Sequence, residues 1–334
     1  MDWPDLNLTL NQVGEAGLLP LLQSFSPTAV VGDDAAVLPP CSASLVVTTD
    51  VLVEGVHFSP ATTPAHAVGW RAVAANLSDL AAMGSRPMSL VIGLGLTGET
   101  SLQWVYQLYQ GVQDGLYPWR VSLVGGDLCR SATRFLAITA LGEVNPAKAL
   151  YRKAVQVGDV WLVTGYHGDA RAGLELLLHP NMSTSGGSLS QRQALIKAHQ
   201  YPQPRLDVVP LLADLGSPVQ AGMDTSDGLA DALLQMSVAS QVGARIDPTR
   251  IPLSPDLQAV FPEKALEWAL YGGEDFQLLL SMPATAADRL VSLLPGSQVI
   301  GEVIPAPRDP TQRVELLGDG FLQREQTFQH FGIP

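Results

Sequence analysis

Short apolar runs alternate with glycine-, proline- and hydroxyl-rich breaks along the whole chain, a texture that mixes strands with helices. Leu45–Thr49 is apolar and β-branched and ends at Asp50, which predicts a buried strand. Pro64 to Met83 predicts a helix, with Pro64 suited to its first turn and Gly84 just past its end. That segment is apolar nearly all round, so most of its faces should be covered. Strands follow at Met88–Leu96, Val121–Val124 and Arg134–Val144, with a helix at Ser101–Leu116. A polar, Pro-containing stretch at Asn145–Val157 then suggests a domain boundary, dividing residues 1–147 from 148–334. Beyond it, Val160–Thr164, Phe276–Ser281, Gln298–Val303 and Val314–Leu317 predict strands. Asp169–Leu178, Val208–Leu215, Gly228–Gln241 and Thr285–Leu294 predict helices, and the Ser- and Gly-rich His179–Ser190 a mobile loop. Strands and helices are mixed in both halves, so the expected fold class is two α/β or α+β domains.

Acidic residues punctuate this pattern. They occur in Gly32-Asp33-Asp34, Thr48-Thr49-Asp50, Asn76-Leu77-Ser78-Asp79, Gly125-Gly126-Asp127, Asp224-Thr225-Ser226-Asp227-Gly228 and Gly272-Gly273-Glu274-Asp275. A carboxylate set against apolar surface without a partner costs several kcal/mol. The chain has 19 Lys and Arg against 32 Asp and Glu, so basic side chains cannot neutralise them all. Hard divalent cations can, and Mg²⁺ takes oxygen ligands while keeping waters and substrate phosphates. A carboxylate-lined phosphate site between the two domains is the first expectation.

Each motif has a plainer reading beside this one. Asp33-Asp34 reads equally as an exposed turn, and Thr48-Thr49-Asp50 as a strand end with an Asp cap. Asp79 lies in an apolar helix, where the alternative to metal duty is a salt bridge to Arg71 or Arg86. Asp127 follows two glycines that allow a ligand to approach the backbone. Ser226 or Asp227 can be a simple N-cap for the following helix, although free N–H groups at a helix start also bind phosphate. Gly93-Leu94-Gly95-Leu96-Thr97-Gly98 matches the dinucleotide fingerprint formally, but its first two glycines fall within a strand and no convincing βαβ unit is expected there. A Walker A lysine motif is absent, so nucleotide chemistry would need a different cradle.

Composition narrows the classes. A net charge of −13 argues against a nucleic-acid partner, whose phosphates need a basic face. No apolar run approaches the ~20 residues of a membrane helix, and the N-terminal residues lack a signal-peptide pattern, so no membrane partner and a cytoplasmic location are expected. Cys41 and Cys129 are the only cysteines and are expected to be reduced, buried thiols.

In order, these segments resemble the thiamine-monophosphate kinases, a family of the aminoimidazole ribonucleotide synthetase-like superfamily. The most specific text is Val53-Glu54-Gly55-Val56-His57-Phe58, with Asn76-Leu77-Ser78-Asp79-Leu80, Asp224-Thr225-Ser226-Asp227-Gly228 and Gly272-Gly273-Glu274-Asp275-Phe276 around it. The resemblance runs from about Gly14 to Phe331. It implies the two-domain synthetase-like fold, with the N-terminal domain binding ATP and metal and its sheet pairing across a homodimer. It implies ATP-dependent phosphorylation of thiamine phosphate to thiamine diphosphate, a step of thiamine biosynthesis, with several Mg²⁺ ions and no general base. By position, Asp34, Thr48, Thr49, Asp50, Asp79, Asp127, Asp224 and Asp227 correspond to magnesium ligands. Tyr109, Gly126, Arg152 and Ser226 correspond to ATP contacts, and His57, Glu274 and Phe328 to substrate contacts. One departure stands out: Tyr201 replaces the first arginine of a His-x-Arg-Pro-x-Pro-Arg stretch, while Arg205 remains. The competing readings are a superfamily enzyme with another small-molecule substrate and a non-catalytic ATP–Mg²⁺ binding protein.

Overall fold

The computed structural model describes residues 3–27, 35–38, 40–41, 43–182, 184–215, 221–323 and 327. The chain divides into two compact units, Met1–Leu80 with Arg86–Glu143, and Ala81–Ser85 with Val144–Pro334.

The first unit contains α1 (Leu10–Gln23), β1 (Ser44–Val53), α2 (Ala65–Ala82), β2 (Arg86–Leu96), α3 (Leu102–Leu116), β3 (Ser122–Arg130) and β4 (Phe135–Val144). Among the described residues its sheet has four strands in the order β1-β4-β2-β3. α2 forms where its apolar content predicts, and Ala67, Val68, Leu77 and Leu80 are fully buried. α2 and α3 cross closely because glycine lies at both contacts. A Cβ on Gly69 would stand 2.0 Å from the Leu108 carbonyl oxygen, and one on Gly111 would stand 1.9 Å from that of His66.

Three expectations change here. β1 is an edge strand rather than a buried one, and Leu45, Val47 and Val51 are exposed. Alternation explains it: one side of the strand lacks a covering layer within this unit. β3 continues through Gly125-Gly126-Asp127 instead of ending at Val124, pairing parallel to β2 as far as Arg130. β2, α3 and β3 therefore do form a βαβ unit around the Gly93-Leu94-Gly95 segment. Both glycines are mid-strand all the same, and a Cβ on Gly95 would run into the Phe135 ring at 2.0 Å. That glycine makes room for an aromatic ring rather than a phosphate.

The second unit contains β5 (Val160–Val163), α4 (Asp169–Leu178), α5 (Leu189–Gln200), α6 (Val208–Asp214), β6 (Ala221–Asp224), α7 (Leu229–Ala239) and β7 (Val242–Ile246). It continues with α8 (Pro255–Val260), α9 (Ala265–Tyr271), β8 (Leu278–Met282), α10 (Ala284–Leu293), β9 (Gln298–Pro305), β10 (Val314–Leu316) and β11 (Gly320–Phe321). Its described sheet runs β11-β10-β7-β9-β5-β8-β6. Trp161, Leu233, Met236 and Ile300 belong to its main core. A smaller core gathers Leu176, Leu195, Leu257 and Phe261, with Trp268 against Phe261 at 4.8 Å between ring centroids. Among the described residues no helix is long and apolar enough to cross a membrane. Both cysteines are free, but neither is buried: Cys129 is exposed, and half-buried Cys41 donates to Glu143 at 3.3 Å.

The α2–α3 crossing sets a prediction. Gly111→Val should lower the free energy of unfolding by at least the ~1–3 kcal/mol typical of overpacking, read as a fall in the urea midpoint; an unchanged midpoint would mean the two helices can separate freely.

Candidate active site

In the first unit, β1 and α2 bring Thr48 and Asp79 together, and the Thr48 hydroxyl donates to the Asp79 carboxylate. Strand alternation puts Asp50 on the same side of β1 as Thr48 and sends Thr49 to the other. The Thr49 hydroxyl there donates to the Ile138 carbonyl at 3.0 Å and meets the Thr139 hydroxyl. Asp79 is half-buried in a helix whose neighbouring residues are buried. Arg86, one of its sequence-suggested partners, pairs instead with Glu143. Arg71 is buried and donates to the His57 carbonyl at 3.3 Å.

The turn after β1 is tied at several points. Glu54 forms a two-pronged ion pair with Arg134, whose guanidinium lies 4.8 Å over the Trp104 ring. The Gly55 N–H donates to the Phe58 carbonyl at 2.8 Å, and Phe58 is buried. His57 Nδ1 accepts from the Val53 N–H at 3.0 Å. That nitrogen therefore carries no hydrogen, so the ring is neutral with its proton on Nε2.

Gly126 and Asp127 lie exposed on β3. Glycine is required at 126 because a Cβ would stand 2.3 Å from the Ile92 carbonyl oxygen of β2. β1 and β3 are opposite edges of the four-stranded sheet. Three strand spacings, about 14 Å, therefore separate Asp50 from Asp127 within one chain. Tyr109 is nearly buried on α3, with its ring 5.2 Å from that of Phe25; burial raises its hydroxyl pKa well above the ordinary range.

In the second unit, β6 ends at Asp224 and α7 begins after Gly228. The N-cap residue is Gly228, at φ 101°, and it has no side chain to cap the helix. Neither Ser226 nor Asp227 occupies the N-cap position. Ser226 instead donates to Asp224 at 3.1 Å. The Ser226 carbonyl accepts from the Glu274 N–H at 2.8 Å, which joins the two acidic motifs through the backbone. A Cβ on Gly273 would stand 2.3 Å from that carbonyl. Glu274 and Phe276 hold φ of 70° and 48°, a conformation unfavourable for residues with side chains. Arg152 donates to Gln235 at 2.9 Å, and Gln235 in turn donates to the Asp231 carboxylate.

Sequence reasoning quoted Asp275 and passed over His167, yet these two organise the region. Buried Asp275 accepts from the Gly168 N–H at 2.6 Å and the Ala170 N–H at 2.9 Å, closing the N-terminus of α4. Burial, reinforced by the charge of Asp169, pushes its pKa up to about 8. Burial likewise raises Asp169 to about 6, although Ser254 donates to it. His167 Nδ1 donates to the Gly165 carbonyl at 3.0 Å, so Nε2 is left to accept from the Thr225 hydroxyl at 3.3 Å. Burial lowers its pKa to about 4. Arg205 donates to the Thr164 carbonyl, to Gln277 at 2.7 Å and to Asp207 through two 2.9 Å bonds. The one available signal was a neutral or acidic side chain inside a glycine-bounded segment.

Asp34 and Phe328 lie outside the described residues. Among those described, no group of three or more His, Cys, Asp and Glu side chains could hold a metal ion by itself. Thr48 with Asp79, Ser226 with Asp224, and the Ser226 carbonyl with the Glu274 N–H are contacts within the expected set.

Two α/β units carrying half-buried oxygen donors define a class, the AIR synthase related proteins. Their N-terminal domain model matches residues 32–144 and their C-terminal domain model residues 156–312. Within that class, a thiamine-monophosphate kinase from Synechococcus elongatus is 47% identical over 97% of this chain and 98% of its own length. A thiamine-monophosphate kinase structure from Stenotrophomonas maltophilia superposes with a TM-score of 0.79 at 32% identity, covering 93% of this chain and 98% of that one. AaThiL complexed with AMPPCP and TMP superposes at 0.77, also at 32% identity, covering 97% and 99%. The chain belongs to the thiamine-monophosphate kinase family and is an ATP-dependent phosphotransferase.

His167 sets a pH prediction. Its folded pKa of about 4 lies below the ordinary 6.5, so the unfolded chain binds the proton more readily. The stabilisation is present above pH 6.5 and is lost as pH falls through about 4, a span worth roughly 3 kcal/mol. The stability gap between the wild type and His167→Gln should therefore narrow from pH 7 to pH 4 in denaturant titrations; a constant gap would show that His167 titrates normally.

Proposed function

We propose that this enzyme transfers the γ-phosphoryl group of ATP directly and in line to the phosphate of thiamine monophosphate, giving thiamine diphosphate and ADP with Mg²⁺ bound. The observation that carries the reading is the half-buried Thr48–Asp79 pair, a hydroxyl and a carboxylate held together as hard oxygen donors. The full donor set fits Mg²⁺ chemically: Thr48, Asp50, Asp79, Asp127, Asp224 and Asp227 offer only oxygen, as do Thr49 and, by its motif, Asp34. When bound, Mg²⁺ neutralises and bridges phosphate oxygens.

The remaining roles fall to the chain. The acceptor phosphate is already anionic near neutral pH, so no general base is needed. His57, with its proton on Nε2, presents a donor suited to a phosphate oxygen. The start of α7 follows Gly228 directly and suits an anion, with Ser226 just before it, while Arg152 lies beside α7 further along, its guanidinium on Gln235. Gly126 supplies close backbone contact to ATP. Tyr109, buried against Phe25, supports an adenosine contact least. Glu274 faces the cationic thiazolium, and Phe328, by its place in the sequence, supplies an aromatic face.

The proposed assembly is a homodimer formed through β1. Exposed Leu45, Val47 and Val51 on an open strand edge need covering, and a second copy provides it. The free cysteines accord with a reducing, cytoplasmic setting.

Single-turnover transfer from γ-labelled ATP tests the reaction. Label should appear in thiamine diphosphate and vanish on chelation; ATP binding without transfer would point to another substrate or to a binding role. Asp50→Asn should abolish turnover without moving the unfolding midpoint, and normal turnover would remove Asp50 from the metal site. Val47→Lys should shift the mass measured by light scattering to that of a monomer, and an unshifted mass would place the interface elsewhere.

A further inference from the structure

The last turn of α5 delivers a buried histidine to the strained acid of the Gly272-Gly273-Glu274-Asp275 motif. His199 is 2% exposed, and its Nδ1 lies 3.6 Å from Glu274 Oε2. The depth of the imidazole is set by the α4–α5 crossing. A Cβ on Gly173 would stand 2.1 Å from the Leu195 carbonyl oxygen and 3.0 Å from the His199 Cβ, so only glycine lets α5 sit this low on α4. Glu274 meanwhile has little freedom of its own. Its N–H is bonded to the Ser226 carbonyl at 2.8 Å, and its φ of 70° fixes the direction in which the side chain leaves the backbone. The backbone thus sets where the side chain starts, and the His199 imidazole stands beside where the carboxylate ends.

We propose that His199 is a positioning residue: it orients the Glu274 carboxylate toward the thiamine ring and so sets affinity for thiamine monophosphate without touching it. The inference rests on the reading of Glu274 as the thiamine contact. A carboxylate facing a cation gains most when its own orientation is already fixed, because binding then does not have to order it. At 3.6 Å the contact is longer than a direct hydrogen bond, and it still sets a buried polar edge beside that oxygen. The contribution belongs to substrate binding and not to the ATP side, which Arg152 approaches through Gln235 and Asp231.

The test compares KM for thiamine monophosphate with KM for ATP in His199→Asn, His199→Gln and Glu274→Gln, and in His199→Gln combined with Glu274→Gln. Asn keeps an N–H donor where Nδ1 stands, whereas Gln carries it further out. Glu274→Gln should raise KM for thiamine monophosphate. His199→Gln should raise it about threefold, the scale of one modest polar contact, with KM for ATP and the unfolding midpoint unchanged. His199→Asn should stay near wild type, and the double variant should be no worse than Glu274→Gln alone, because both changes remove one coupled contact. Additive losses in the double variant, equal losses in Asn and Gln, or a parallel rise in KM for ATP would overturn the positioning role. An unchanged KM in Glu274→Gln alone would overturn the reading of Glu274 itself, and the proposal with it.

Discussion

The second unit's site depends on one buried carboxylate. Asp275 accepts two N–H groups at the start of α4, and those bonds tie the Gly165–Gly168 turn to the Gly272-Gly273-Glu274 segment. A helix N-terminus is a favourable place for negative charge. Burial and the neighbouring charge of Asp169 oppose ionisation strongly enough to lift the pKa to about 8. The carboxyl holds the two N–H groups by acceptor oxygens that survive protonation in part. The geometry around Glu274 and Ser226 is thus built on a carboxyl that burial and Asp169 push toward its protonated form.

The two units use their acids differently. In the first, carboxylates and hydroxyls stand at strand and helix positions where side-chain direction follows from period alone, as with Thr48 and Asp50 on one side of β1. In the second, direction comes from irregular backbone: Gly228 at positive φ starts α7, and Glu274 and Phe276 hold conformations that side-chain-bearing residues seldom adopt. In the first unit regular structure carries the oxygen donors; in the second, strained backbone carries Glu274, the group proposed to contact the organic part of the substrate.

This difference explains what could be read in advance. Helix α2 was legible because apolar residues lie on nearly every side of it, and β4 because Phe135–Val144 is a mostly apolar run of strand length. β1 misled because burial was read from apolar content, and an edge strand with an uncovered face has the same content as a central one. α5 escaped because its sequence, Leu189–Gln200, is largely polar, and its place is set by the close crossing with α4 at Gly173 and Leu195. The acidic motifs were visible as text. What joins them, the Ser226 carbonyl to the Glu274 N–H and His167 to Thr225, uses backbone groups and a histidine with no motif of its own.

The positive φ at Glu274 and Phe276 also bears on engineering. Glycine relieves such strain, and substitutions that relieve strain are among those a search for thermostable variants finds first. At position 274 the same change would delete the carboxylate that His199 approaches, and at 276 it would remove a buried ring from the core. Stability gained in this segment would come out of the proposed binding site, so a hardier version of this enzyme has to be sought in other parts of the chain.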